Sequence, residues 1–301
     1  MKSSRRKARP ASRWMGFLIA ALAASPGLAH ARAADLFYER TVMGAADARC
    51  GLFAPDVASA LAAGAAQARG AALRAGVAAE TLRESERIAR ARAAAADCAS
   101  PDVMLAAGRV RGAFSGFAKL TRLTYAGDVA DWRADRNIGR APRWRLTQDS
   151  RFGADRMAFG LAGRQGAGAL VAVARFADAA EPYAARIVLR DTGRSSQPYL
   201  DGWGGGSTAG LPLARRLPPH TALRAYGAAA RARADPDLLP KDVAEGWAFR
   251  FPDEAVRALA GLDPREAVAV EFLFPGDQIR RAYVEVGDFA AGRAFLQVAG
   301  R

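Results

Sequence analysis

Apolar positions along the chain follow two rhythms. Between Ser100 and Thr121 they recur every three or four residues, at Val103, Ala107, Val110, Phe114, Phe117 and Thr121. That spacing puts them on one face of a helix. Ser100-Pro101-Asp102 precedes the stripe and supplies an N-cap, a proline for the first helical position and an acid for the first turn. Three earlier segments also read as helices: residues 36–49, the Ala-rich 55–74 with Val57, Leu61 and Leu73, and 80–97 with Leu82 and Ile88 among charges. The Phe residues of the last helix are expected to form the core on which the Ala-rich helices pack.

From residue 143 the rhythm becomes alternation, as in Trp144, Leu146 and Gln148, and again in Met157, Phe159 and Leu161. Residues 169–176 and 185–189 are rich in Val, Ile and Leu. Val268, Val270, Phe272 and Phe274 share one face of a strand, Pro275-Gly276-Asp277 turns the chain, and 279–286 returns as the hairpin partner. Asp288 is expected to cap a helix over 289–297, and another helix fits 253–262. Residues 126–142 sustain no period and are punctuated by Gly127, Gly139 and Pro142, so they read as a connection. The predicted class is α+β. A disulfide-stapled helical bundle (34–125) and a linker (126–142) precede a mostly antiparallel β-sheet or sandwich domain with short helices (143–301).

The first 33 residues stand apart. A basic stretch is followed by the apolar run WMGFLIAALAA from Trp14 to Ala24, then by Ser25-Pro26-Gly27 and two small-x-small sites ending at Ala31 and Ala33. This is the order of a signal peptide, with cleavage expected after Ala33 and a periplasmic or secreted location. An eleven-residue run is too short to span a bilayer, and no second apolar span follows, so no membrane span is expected after cleavage. Ser4-Arg5-Arg6 starts like a twin-arginine signal but lacks the Phe-Leu that should follow, which favours the general secretion route. The whole chain carries a formal charge of +14; without this segment, 37 basic and 30 acidic side chains remain, a charge of +7. Half of the basicity therefore belongs to the export signal. The composition of the whole chain, 51% hydrophobic and 25% charged over 301 residues, excludes a disordered, collagen-like or multispanning chain.

The two cysteines, Cys50 and Cys98, suit an oxidising compartment. They flank the helices at 55–74 and 80–97, so an antiparallel hairpin would bring them to one open end as a structural disulfide. One His beyond residue 33 cannot complete a zinc site with two Cys, and no metal or cofactor is expected.

Candidate chemistry falls in three places. The Gly-rich loop at 199–210 contains Asp201, Trp203 and Ser207, but has neither a Walker spacing nor a dinucleotide fingerprint, and misses G-x-S-x-G by its last residue. His220 is the single histidine outside the signal. With Ser207 as nucleophile and Asp201 or Asp191 as orienting acid it would make a hydrolase triad. The segment from Trp132 to Arg145 interleaves Trp with Arg; Arg140, Arg143 and Trp144, together with Trp203, are the expected binding residues for an anionic partner. The chain uses 40 Arg and 4 Lys, so arginine clusters are common in it.

No motif identifies a family. Residues 268–297, with Gly287-Asp288-Phe289-Ala290-Ala291, resemble the end of exported invasion-associated β-sandwich proteins. That likeness covers about a tenth of the chain and carries no functional residue. The overall style is similar to exported proteins of Gram-negative bacteria. The leading expectation is a non-catalytic envelope interaction module that binds an envelope protein or an anionic envelope polymer, not nucleic acid. The alternative is a periplasmic hydrolase built on His220 and the 199–210 loop.

Overall fold

The computed structural model describes residues 26–164, 168–195, 198–200, 208, 210–240 and 243–298, without the side chains of 26–31. The expected signal before Pro26, and Asp201, Trp203 and Ser207, lie outside the described residues. Four helices come first: α1 (Pro26–Cys50), α2 (Pro55–Arg74), α3 (Ala79–Ala95) and α4 (Pro101–Lys119). Eleven strands follow, with two short helices among them. They are β1 (Arg122–Tyr125), β2 (Trp132–Asp135), β3 (Arg143–Phe152), β4 (Asp155–Gly163), β5 (Ala169–Arg175), β6 (Ala184–Arg190), β7 (Leu223–Gly227), β8 (Ala230–Arg233), β9 (Trp247–Phe251), β10 (Ala267–Phe274) and β11 (Gln278–Glu285). The helices are α5 (Asp253–Ala260) and α6 (Phe289–Leu296).

The strands form two antiparallel sheets, β1-β2-β3-β4-β5-β9-β8 and β11-β10-β6-β7. Their inner faces share one core, in which Phe159, Leu170 and Phe249 of the first sheet meet Ile187, Val270 and Phe272 of the second. The sandwich with short helices matches the pattern reading, and so does the hairpin of β10 and β11. Strand formation starts earlier than expected, however. Residues 126–142, read as a connection, contain β2, and β1 precedes them at Arg122. Only Trp132 and Ala134 of β2 are buried, so a four-residue edge strand is too short to show a period.

The helical part differs in its packing from a simple hairpin. α1 lies between α2 and α3, which make few contacts with each other. Disulfide Cys50–Cys98 joins the end of α1 to the residues just after α3, with a Cα–Cα separation of 5.7 Å. α1 also extends ten residues further toward the N-terminus than the 36–49 expected. Ser100 caps α4 as its sequence implies, accepting a hydrogen bond from the Val103 amide. Phe114 and Phe117 are half-buried rather than central. Phe114 rests on Gly64 of α2, where a Cβ would come within 2.8 Å of its ring, and Phe117 packs edge-on against Phe295 of α6 at 5.6 Å. Exposed Arg83, Arg87 and Arg90 of α3 pair with Glu80, Glu84 and Glu86 one turn earlier. Such pairs contribute little.

α6 couples the two parts. It packs against α2 on one side and against β2 and β3 on the other. Asp288, expected as its cap, makes no capping bond; its carboxylate instead accepts two hydrogen bonds from Arg74 of α2, at 2.9 and 2.8 Å. Gly70, one turn before Arg74, permits this approach, since a Cβ there would fall 2.5 Å from the Asp288 carboxylate. No helix among the described residues is long and apolar enough to cross a membrane.

Two stability outcomes follow. Replacing both cysteines by Ser removes a cross-link spanning 48 residues and is expected to cost about 4 kcal/mol in urea unfolding. Arg74→Ala leaves the Asp288 carboxylate, whose side chain is 3% exposed, without its partner. A loss of about 3–5 kcal/mol is expected, with most of it recovered in the Arg74→Met/Asp288→Asn double variant.

Candidate functional site

A large concave feature lies among the helices. It is an open groove of about 860 Å³ where α1 and α4 splay apart over α2. Met43, Leu61, Val110 and Phe114 supply an apolar floor. Charged side chains of both signs border it: Asp35 and Glu39 on α1, Arg92 on α3, and Asp102 and Arg109 on α4. The groove exists because α4 leans on α2 and hardly touches α1. Arg40 closes its inner side, donating to the Gly64 carbonyl while its guanidinium lies 5.6 Å from the Phe114 ring centre. Burial holds the Arg40 pKa below its ordinary value, with Glu39 opposing. A groove of this kind suits an amphipathic segment, with apolar anchors on the floor and ionic contacts at the edge. Sequence reasoning missed it. The stripe of α4 was legible, but not that part of it stays unpacked.

The basic segment divides into separate roles. Trp132 is fully buried, and its indole donates to the carbonyls of Glu285 and Val286. Trp144, expected to bind a ligand, is half-buried; its indole donates to the Leu238 carbonyl, and the ring joins the cluster of Val171, Val173 and Leu238 on the outer face of the first sheet. Arg136 donates to the carbonyls of Ala118, Leu120 and Val298, so it caps the C-terminal ends of α4 and α6. Its guanidinium also sits 4.7 Å from the Phe295 ring centre. Arg140 is exposed and makes no ion pair among the described residues. Arg143 is half-buried, and Arg145 is buried with one bond to the Asn137 carbonyl at 2.5 Å. Burial, and after it the neighbouring Arg145, lower the Arg136 pKa. Arg145 is likewise lowered by burial, with Asp135 opposing and Arg143 adding to the effect. Asp135 is itself engaged by Arg122 and by the Asn137 amide.

The hydrolase residues are placed only in part. His220 is exposed, at the start of a 3-10 turn (His220–Ala222), and its side chain bonds to no described residue. Asp191 comes near this turn, since its amide donates to the Ala222 carbonyl. Its carboxylate, however, accepts from the Gly193 amide and lies 3.5 Å from Arg194. His220 and Asp191 are therefore neighbours in the chain path without a hydrogen bond between them. Among the described residues, no group of three or more His, Cys, Asp or Glu side chains could hold a metal ion.

What the structure does show beside the Gly-rich loop is a buried ionic assembly. Thr208, at the end of that loop, donates to the Asp128 carboxylate at 3.1 Å, and its carbonyl accepts from Arg216. The side chain of Arg216 is fully buried and donates to Asp128 at 3.1 Å, with Glu285 at 3.9 Å. Glu285 in turn accepts from the amides of Asp128, Val129 and Ala130. Comparison of the chain with family models, curated proteins and solved structures finds no match. Glu285→Gln removes the charge while keeping the shape. It is expected to lower stability by about 2–3 kcal/mol in urea unfolding, because it weakens charge-assisted bonds to three amides at once.

Proposed function

We propose that the protein is an exported, non-catalytic interaction module of the cell envelope, and that it takes a protein partner in the groove between α1 and α4. The groove carries this reading. It pairs an apolar floor with a charged border on a bundle held by a disulfide. Export to the periplasm is supported by the basic and apolar order of residues 1–33 together with the disulfide. Cleavage after Ala33 would remove the first turns of α1 and leave Leu36 and Phe37, which pack with Leu73 and Leu82. The partner is an amphipathic segment of another envelope protein.

The test uses the mature protein and washed envelope membranes, with binding read by sedimentation. Ala113 is exposed and borders the groove, so Ala113→Arg fills it without opening a core. Binding about tenfold weaker or worse is expected for this variant. His220→Ala should bind as the parent does. Full binding by Ala113→Arg would end the groove reading.

A further inference from the structure

Residues 136–147 hold a concentration of unsatisfied donors. Four buried side-chain atoms lack a hydrogen-bond partner: Nε of Arg136, Arg143 and Arg145, and Oγ1 of Thr147. They are the only such atoms among the described residues. Buried polar atoms are nearly always paired in folded proteins, so four orphans within twelve positions need a reason. Three can only donate, and the fourth, a hydroxyl, can donate as well. What they lack is therefore an acceptor.

These groups share one short stretch of chain, and the Arg143 charge is felt at Arg145. Arg145 is the extra residue of a β-bulge in β3, between Trp144 and Leu146. Opposite the bulge, Gly160 has φ +149°, and a Cβ there would fall 2.0 Å from the Leu146 carbonyl. Only glycine lets β4 approach this closely, so the bulge and the placement of Arg145 depend on it. Arg145 reaches back to Asn137, and Arg143 lies over Gly139, where any Cβ would come within 2.8–2.9 Å of the guanidinium. Both arginines thus meet the loop at 137–139. Thr147, 7% exposed, is two residues beyond Arg145 on the same strand, and Arg140, three residues before Arg143, is exposed. The nearest acid, Asp135, already serves Arg122. Arg136 has a separate task in holding three carbonyls, so it adds charge to the region rather than a contact.

We infer that Arg143, Arg145 and Thr147, with Arg140 at the entrance, form a binding site for a phosphate group. A carboxylate offers two oxygens and is satisfied by one guanidinium fork. Two guanidiniums and a hydroxyl on separate positions call for an anion with three or more acceptor oxygens and up to two charges. A free phosphate and the phosphomonoester of a lipid headgroup both supply this group; the chemistry recognised is the same. The site does not depend on the groove between the helices.

The full mature chain is titrated with inorganic phosphate against acetate at equal ionic strength, followed by thermal shift and by ³¹P NMR line width. Phosphate should raise the melting temperature and broaden the phosphorus line, and acetate should do neither. Arg143→Ala, which removes a side chain with no hydrogen bond among the described residues, should weaken phosphate binding about tenfold. Thr147→Val gives a sharper result. Losing an unpaired buried hydroxyl should raise the melting temperature without phosphate and shrink the rise that phosphate brings. A purely structural Thr147 would give the first change and leave the phosphate response as it is in the parent. Binding to phosphatidylcholine vesicles is compared with and without phosphatidic acid. Response to phosphatidic acid alone assigns the headgroup as the source, and response to inorganic phosphate shows that the free group suffices; either supports the site. Equal responses to acetate and phosphate, an undiminished phosphate response in Arg143→Ala and Thr147→Val, or no response to either phosphate source overturns it.

Discussion

The carboxylate of Glu285 is the interaction on which the arrangement of the sandwich depends. It is fully buried at the end of β11, yet it is surrounded by donors: three consecutive amides at 128–130, with Arg216 alongside. Its own backbone is equally engaged. The Glu285 amide donates to the Gln148 side chain, and its carbonyl accepts from the Trp132 indole and from Gln148. One residue thereby joins β2, β3 and β11 to the turn at 126–131 and to the base of the Gly-rich loop. A carboxylate so deeply placed is tolerated because three amides donate to it and a guanidinium stands alongside. The segment at 126–131 owes its shape to this carboxylate, since it has no periodic packing of its own.

A second constraint sets how the helices sit on the sandwich. Small side chains on α2 let neighbours approach: Gly64 receives Phe114, and Gly70 receives Asp288. α6 brings Phe289 against Trp132 and Phe295 against Phe117, so the core of the sandwich continues through α6 to the helices. Arg74 and Asp288 then add a directional bond across the same junction. Since α2 also carries α1 and α4, the groove between those helices is referenced to the sandwich through α6. The groove's apolar floor and the arginine site on β3 are thus held by one continuous scaffold while differing in chemistry: the first is apolar with an ionic border, the second a set of donors awaiting an acceptor.

Arginine does four different jobs in this chain, and charge alone does not distinguish them. Arg83 and Arg87 make exposed pairs on a helix face. Arg136 satisfies helix-end carbonyls, and Arg216 and Arg190 lie in buried ion pairs. Arg231 and Arg233 stack on Trp247, with guanidinium carbons 3.5 and 4.0 Å from the ring centre. Arg143 and Arg145 remain with unpaired donors. In a chain with 40 arginines, the informative property of each is what it touches.

Local order was readable from the residues. The stripe and cap of α4, the alternation in β3 and β4, and the turn that joins β10 to β11 all express rules acting over a few positions, and an even pair of cysteines around helices pointed to the disulfide. Tertiary structure decided the rest. α1 between α2 and α3, Asp288 bound to Arg74 rather than capping α6, Trp144 turned to Leu238, and β1 and β2 added at the edge all depend on partners far away in sequence. Arg74 and Asp288 are 214 positions apart, and Trp144 and Leu238 are 94 apart. The groove and the unpaired donors of Arg143 and Arg145 belong to the same category. Periodicity tells a segment which face to bury, but which groups meet, and which are left without a partner, is settled only when the whole chain competes for the same interior.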